Sequence, residues 1–336
     1  MSSQVSISLG DVITVSDLSV DYRTAGVVHA LHDVSFGIRP GEILGVVGES
    51  GSGKSTLALA VSRLLATPPG YYTGGKILFE ETDMLKARPS EIDSLRGTGM
   101  FMVFQDPMMS LNPLMRIRDQ IIEGIAVRCR RRGEAFVRPS AEQEVNEHLT
   151  SVRIGDASDV ASRYPHQLSG GQNQRIMLAI ALAEKPKLLI ADEPTTALDV
   201  TSQAQVLNVL KGIVVESKMA MMYITHDLVV AGSFCDRIAV MYGGMIQEIG
   251  SAEQVMRRPN HPYSSGLITS LPSQRKADGP LAGISGTFSW DEIGGICAFA
   301  PRCPLVHEDC RKGVPPLVRV GPGLVRCVNY GEKPDK

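Results

Sequence analysis

Short runs of β-branched and aliphatic residues separated by turn residues occupy the first ninety positions, at 12–15, 35–38, Ile43–Val47 and 76–79. Only Ile43–Val47 leads straight into a strong helical pattern, from 54 to about 65. From about 96 to about 185 the periodicity is mostly helical, with polar and charged residues over 128–147, and this reads as a helical insertion. Apolar β-type runs return at 188–191, 221–225, 238–242 and 245–249. Continuous apolar runs separated by helices predict a buried, largely parallel sheet, because a strand covered on both faces needs no polar side. Beyond 259 the chain becomes rich in Pro and Gly, which sets a boundary near 255 between a large domain (1–255, helical subdomain about 96–180) and an extension (256–336). No internal repeat is visible, so the chain holds one such unit and not a tandem pair.

A length of 336 residues fits one large domain with an appendage. With 34 Lys and Arg against 36 Asp and Glu, the formal charge of -2 gives no overall pull toward nucleic acid or anionic lipid. The basic run 128–132 reads as a solvated helix face, with a local contact to such a partner as the alternative. No apolar stretch reaches the roughly 18 residues of a membrane helix, and 1–11 lacks a basic segment followed by an apolar one, so the expectation is a chain neither secreted nor membrane-spanning. The fourteen methionines are simplest as core filling. Of six cysteines, Cys129 and Cys235 stand alone and read as ordinary buried residues, while Cys297, Cys303, Cys310 and Cys327 crowd the last forty positions. In a reducing compartment that crowding favours metal ligation over disulfides.

The string Gly48-Glu49-Ser50-Gly51-Ser52-Gly53-Lys54-Ser55 fits the Gly-x4-Gly-Lys-Ser phosphate loop, in the strand-to-helix context the motif requires. Its glycines let backbone amides curl toward one phosphate, and the helix that follows, with Thr56 in its first turn, adds its positive end. Lys54 is expected to bridge the β- and γ-phosphates of ATP and Ser55 to ligate Mg2+. The run 188–191 ends in Asp192 and Glu193, carboxylates suited to hold the magnesium site and to polarise the attacking water as general base. These residues specify a P-loop NTPase and no more.

Leu168-Ser169-Gly170-Gly171-Gln172, about twenty residues before the acidic pair, resembles the signature of the ABC ATPase family. Ser169 and the amides of Gly170 and Gly171 at a helix start form a second anion site. The resemblance implies that this site faces the γ-phosphate held by a second cassette, so that ATP is sandwiched between two subunits and one chain alone hydrolyses poorly. It further implies that Gln105 touches magnesium and the water, that His226 hydrogen-bonds the γ-phosphate, and that Asp199 lies in the loop crossing the dimer interface. Tyr22 is the candidate for stacking on adenine, with packing within its sheet as the alternative. Asn173 departs from the family pattern, in which a positive residue is common, and an altered contact near the nucleotide is the expected consequence.

Two further strings, Gln105-Asp106-Pro107-Met108-Met109-Ser110-Leu111-Asn112-Pro113 and His261-Pro262-Tyr263 leading to Leu271-Pro272, resemble the oligopeptide and dipeptide importer branch. The pattern Cys297-x5-Cys303-Pro304-x5-Cys310-x16-Cys327 resembles the extension of that branch, in which four cysteines hold a [4Fe-4S] cluster. On chemistry alone, iron-sulfur, zinc and free thiols all stay open; the spacing lacks the short ligand pair usual for zinc, and Pro304 follows Cys303 as in some cluster-binding runs. The resemblance implies an α/β fold, with a RecA-like P-loop NTPase core, an N-terminal antiparallel β subdomain, an inserted helical subdomain and a small cysteine-rich extension. It implies an ATPase subunit at the cytoplasmic face of the cell (inner) membrane. Its partners are a second, related cassette, two membrane-spanning permease subunits and, indirectly, an extracytoplasmic solute-binding protein, with no nucleic acid. A soluble ABC ATPase and an importer of nickel or glycans are the rival readings.

Overall fold

The computed structural model describes residues 10–271, 283–286 and 295–330; residues 1–9 and Pro272 of the Leu271-Pro272 string lie outside them. In chain order the strands are β1 (Ile13–Arg23), β2 (Val27–Ile38), β3 (Ile43–Val47), β4 (Gly70–Phe79), β5 (Thr82–Asp83), β6 (Met100–Val103), β7 (Leu188–Asp192), β8 (Ala220–Thr225), β9 (Arg237–Tyr242), β10 (Met245–Ser251), β11 (Val318–Val320) and β12 (Gly323–Val325). The helices are α1 (Lys54–Val61), α2 (Pro89–Leu95), α3 (Ile117–Arg132), α4 (Arg138–Ser151), α5 (Ala157–Ser162), α6 (Gly170–Glu184), α7 (Val200–Ser217), α8 (Leu228–Phe234), α9 (Ala252–Arg257) and α10 (Pro262–Thr269). The described residues divide into two compact units, one drawn from Met1–Gly37, Leu44–Glu80 and Ile224–Lys336, the other from Ile38–Ile43 and Glu81–Tyr223.

In the first unit β1 pairs antiparallel with β4, from Ile13 opposite Phe79 to Tyr22 opposite Gly70. Ile13, Val15, Leu18 and Val20 of β1 are buried, and a register shift between Ser16 and Ser19 accounts for the change of phase between Val15 and Leu18. A second sheet of this unit joins β3 in parallel to β9. The chain then reverses at Gly243-Gly244, both at positive φ (57° and 73°), the geometry a two-residue hairpin needs, and β10 returns antiparallel to β9. The expected parallel character therefore stops at β9. β12 pairs with β10 and β11 with β12, both antiparallel, so the C-terminal extension adds two strands to a sheet edge that the sequence left open.

Helix α1 stops at Val61, short of the expected 65. Ser62 turns its hydroxyl back onto the Ala58 carbonyl at 2.8 Å, and Arg63 takes a left-handed φ of 56°, which no helix continues through.

In the second unit β6 runs parallel to β7, and α3 and α4 pack on α6. In the basic run at the end of α3, Arg130, Arg131 and Arg132 are exposed, as a solvated face requires, and Arg128 is the exception. Arg128 is buried, and its guanidinium makes a forked pair with Glu144 of α4 (2.6 and 2.8 Å) while donating to the Ala183 carbonyl of α6 at 2.7 Å. Arg131 donates to the carbonyls of Asp93, Ser94 and Arg96, and Arg132 to that of Lys185. These side chains satisfy backbone acceptors at element ends, which is why they cluster. Met219, Met221 and Met222 are buried, as are Cys129 and Cys235.

Candidate nucleotide site and cysteine cluster

In the first unit, the wholly buried β3 delivers the chain to Gly48. A Cβ there would stand 2.2 Å from the Met241 carbonyl oxygen, so only glycine fits. At the other end Gly53 caps α1 with φ 100°, and a Cβ would meet the Ala30 carbonyl at 2.8 Å. Between them Ser50 and Gly51 are exposed, as is Ser55 just after, while Thr56 is half-buried. Lys54 is buried, and its ammonium donates to the carbonyls of Gly48 and Glu49, each at 2.8 Å. The loop thus wraps its own lysine. His226 is exposed at the end of β8, between Thr225, whose hydroxyl accepts from the Asp227 amide (3.0 Å), and Asp227, whose carboxylate caps α8. Tyr22 lies half-buried on β1.

One residue of this loop, Glu49, is held in a way its sequence did not indicate. Its amide donates to the Tyr263 hydroxyl at 3.0 Å, and its carboxylate takes a fork from Arg302 at 2.7 and 3.2 Å. Both partners belong to the C-terminal extension, more than two hundred residues away. Burial pushes the Tyr263 hydroxyl above the ordinary tyrosine range.

In the second unit, Asp192 is buried at the end of β7, and Glu193 adopts a left-handed φ of 48°. Gln105, just past β6, donates from Nε2 to Glu193 Oε2 at 3.0 Å. The Thr196 hydroxyl reaches both the Glu193 carbonyl (3.1 Å) and Oε2 (3.2 Å). Buried Gln174 of α6 donates to the Glu193 carbonyl at 3.4 Å and accepts from the Ala197 amide at 3.0 Å, stapling the acidic turn from beneath. Gln174 was not singled out from the sequence; a glutamine on an otherwise apolar helix face was the available signal.

Ser169 caps α6 reciprocally with Gln172: its hydroxyl accepts from the Gln172 amide (3.2 Å), and its own amide donates to Gln172 Oε1 (3.0 Å). Ser169 and Gly170 are exposed and Gly171 half-buried, so the helix start presents its amides outward. Asp199 caps α7 through the Ser202 amide at 3.0 Å, and the hydrogen bond to Ser202 holds its carboxyl below the usual range. Asn173, expected to act near the nucleotide, is buried and donates to the Pro165 carbonyl at 3.0 Å, so the missing charge is replaced by a local tie.

Cys297, Cys310 and Cys327 are buried, Cys303 is half-buried, and all four are free thiols. The Cys297 amide donates to the Cys310 carbonyl at 3.0 Å. Burial pushes the Cys297 thiol up to about 11, and the charges of Cys310, Cys327 and Cys303 add to the rise. Burial also raises Cys303 and Cys327. Among the described residues, no group of three or more His, Cys, Asp or Glu converges as ligands of a single metal ion. Nor is any described helix long and apolar enough to cross a membrane.

Residues 31–196 match the model of the ABC transporter family, and residues 247–310 that of the oligopeptide/dipeptide transporter C-terminal region. The chain is 42% identical over 317 residues to the oligopeptide transport ATP-binding protein OppD of Salmonella typhimurium, covering 94% of this chain and 92% of that one. It is also 42% identical over 278 residues to the OppD of Bacillus subtilis, covering 82% and 76%. Among solved structures it is similar to the ATP-binding cassette MJ0796, a dimer bound to ADP and Pi, with a TM-score of 0.65, 26% identity, and coverage of 71% of this chain and 98% of that one. The fold is that of an ABC cassette, and this chain belongs to the ATP-binding proteins of the ABC transporter family, in the branch that carries the oligopeptide/dipeptide transporter C-terminal region.

Proposed function

We propose that this chain is the ATP-hydrolysing subunit of a membrane importer of oligopeptides, dipeptides or a similar solute. The observation that carries the reading is the carboxylate of Glu193, aimed by Gln105 at 3.0 Å beside the buried Asp192, in a chain that also has a complete phosphate loop. Lys54 and the loop amides hold the phosphates. Ser55, Asp192 and Gln105 are the residues that would hold Mg2+, which would supply screening of the phosphate charge. Glu193 takes a proton from water as its oxygen attacks the γ-phosphorus, and the bond to the β–γ bridging oxygen breaks, leaving ADP and phosphate. His226 contacts the γ-phosphate, and Tyr22 stacks on adenine.

Ser169 and Gly171, at the outward-facing start of α6, serve the nucleotide of a second cassette, with Asp199 at the same interface. That second cassette is a related chain; two permease subunits supply the path through the membrane, an extracytoplasmic protein delivers solute, and this chain sits peripherally on the cytoplasmic face. The domains follow the division 1–255 and 256–336. In the extension, Cys297, Cys303, Cys310 and Cys327 would hold a [4Fe-4S] cluster. Four cysteines without the short ligand pair usual for zinc, with Pro304 directly after Cys303, suit a multi-iron group better than a single zinc.

Anaerobic purification of the complex through a tag on this chain tests the reading. Two hydrophobic subunits, a second cassette and about four irons per chain are expected. Recovery without membrane subunits would contradict the transporter role, and zinc or no metal would contradict the cluster.

A further inference from the structure

Every polar group of Glu49 in the phosphate loop is engaged. Its carbonyl accepts from Lys54 (2.8 Å), its amide donates to Tyr263 (3.0 Å), and its carboxylate is forked by Arg302 (2.7 and 3.2 Å). Arg302 is itself fixed: Nε donates to the Ser285 carbonyl at 2.9 Å, Nη1 reaches the Tyr242 hydroxyl at 3.3 Å, and its guanidinium lies 5.7 Å from the centre of the Tyr242 ring. Its side chain is only 7% exposed, so the pair is shielded from solvent on the arginine side. Behind it Phe299 packs against Tyr242, Tyr263 and His261, with ring centres 5.4, 5.2 and 5.9 Å away. The short turn Ala300–Arg302 that presents the guanidinium is flanked in sequence by Phe299 and Cys303.

A flexible loop must be ordered before it can grip a phosphate, and that ordering subtracts from affinity unless something has already supplied it. Here the supply comes from outside the nucleotide-binding motifs. We propose that Arg302 and Tyr263 of the C-terminal extension are positioning residues for ATP binding, acting through Glu49 to hold the phosphate loop in its gripping shape. Turning the Glu49 amide onto Tyr263 settles which amides of the loop are left for phosphate. The forked geometry matters as well as the charge, since a lysine reaches only one carboxylate oxygen at a time. The inference rests on the nucleotide reading of the loop.

Fluorescent ATP-analogue titration with Mg2+ on the full chain tests it, using wild type, Arg302→Gln, Arg302→Lys, Tyr263→Phe, Glu49→Gln and the Glu49→Gln/Arg302→Gln double variant, with melting temperature recorded for each. Arg302→Gln is expected to weaken binding about five- to tenfold, Arg302→Lys to recover part of the loss, and the double variant to bind no worse than the weaker single, because the two residues act as one unit. Tyr263→Phe, which removes only the hydroxyl, is expected to weaken binding about two- to threefold with the aromatic packing intact. Wild-type affinity in both Arg302→Gln and Tyr263→Phe, or strictly additive losses in the double variant, would overturn the clamp while leaving the nucleotide reading standing. A wild-type chain that bound no nucleotide would overturn both.

Discussion

Gln105 and Glu193, 88 residues apart in sequence, meet through one hydrogen bond of 3.0 Å from the glutamine amide to a carboxylate oxygen. Gln105 lies two residues past β6 and Glu193 one past β7, and the parallel register of those strands, Val103 opposite Ala191, is what sets the two side chains at one height. The geometry of the acidic turn therefore depends on a strand pairing. Replacing Gln105 with alanine is expected to slow single-turnover hydrolysis by about ten- to a hundredfold, and Gln105→Glu, which sets a second carboxylate against Glu193, by more. Rapid-quench measurement of phosphate release checks both; wild-type rates in the two variants would remove Gln105 from the mechanism.

The helical part of the second unit is tied together by Arg128 and Glu144. Arg128 lowers the Glu144 carboxyl to about 2, chiefly through their hydrogen bonds. A carboxyl depressed on folding contributes stability that is present above its ordinary value near 4.5 and is lost as pH falls toward 2. Glu144→Ala is expected to cost about 2–4 kcal/mol at neutral pH, because it leaves a buried guanidinium with a single carbonyl acceptor. It should also flatten the acid limb of the stability profile, and urea melts from pH 2.5 to 7 measure both effects.

Glu184, at the end of α6, shows the opposite sign. Burial pushes its carboxyl up to about 7 against the pull of Arg131 and Arg128, and its Oε2 is buried with no hydrogen-bond partner among the described residues. A carboxyl raised on folding contributes stability below about 4.5 that is lost as pH climbs through 7. Glu184→Gln is expected to be more stable than wild type at pH 8, by no more than about 3 kcal/mol, and equal to it near pH 4.5. Thermal melts at the two pH values decide; a variant no more stable at pH 8 would mean that the buried carboxyl costs nothing.

The parts of this molecule that rest on local pattern are legible in the sequence. Ile43–Val47 and the helix after it follow from an apolar run, a glycine-rich turn and a lysine, and the acidic end of β7 from the same kind of run. What the pattern could not disclose is where long side chains reach. Arg128 looks like solvated charge in sequence because its partners, Glu144 and the Ala183 carbonyl, lie on other elements. Glu49 looks like an indifferent position inside a glycine-rich motif because its partners lie 214 and 253 residues onward. The pairing of β12 with β10 was equally hidden: strands of three residues carry too little alternation to be read, and their place is fixed by the edge they cover.

We propose Glu193 as the general base of the ATP-hydrolysing site, which requires an ionisable carboxylate at that position. Steady-state ATP hydrolysis by the complex purified through this chain, compared between wild type and Glu193→Gln with nucleotide binding measured in parallel, tests it most directly. Glu193→Gln is expected to bind MgATP as well as wild type while turnover falls by at least about a hundredfold. Undiminished hydrolysis in the variant would contradict it.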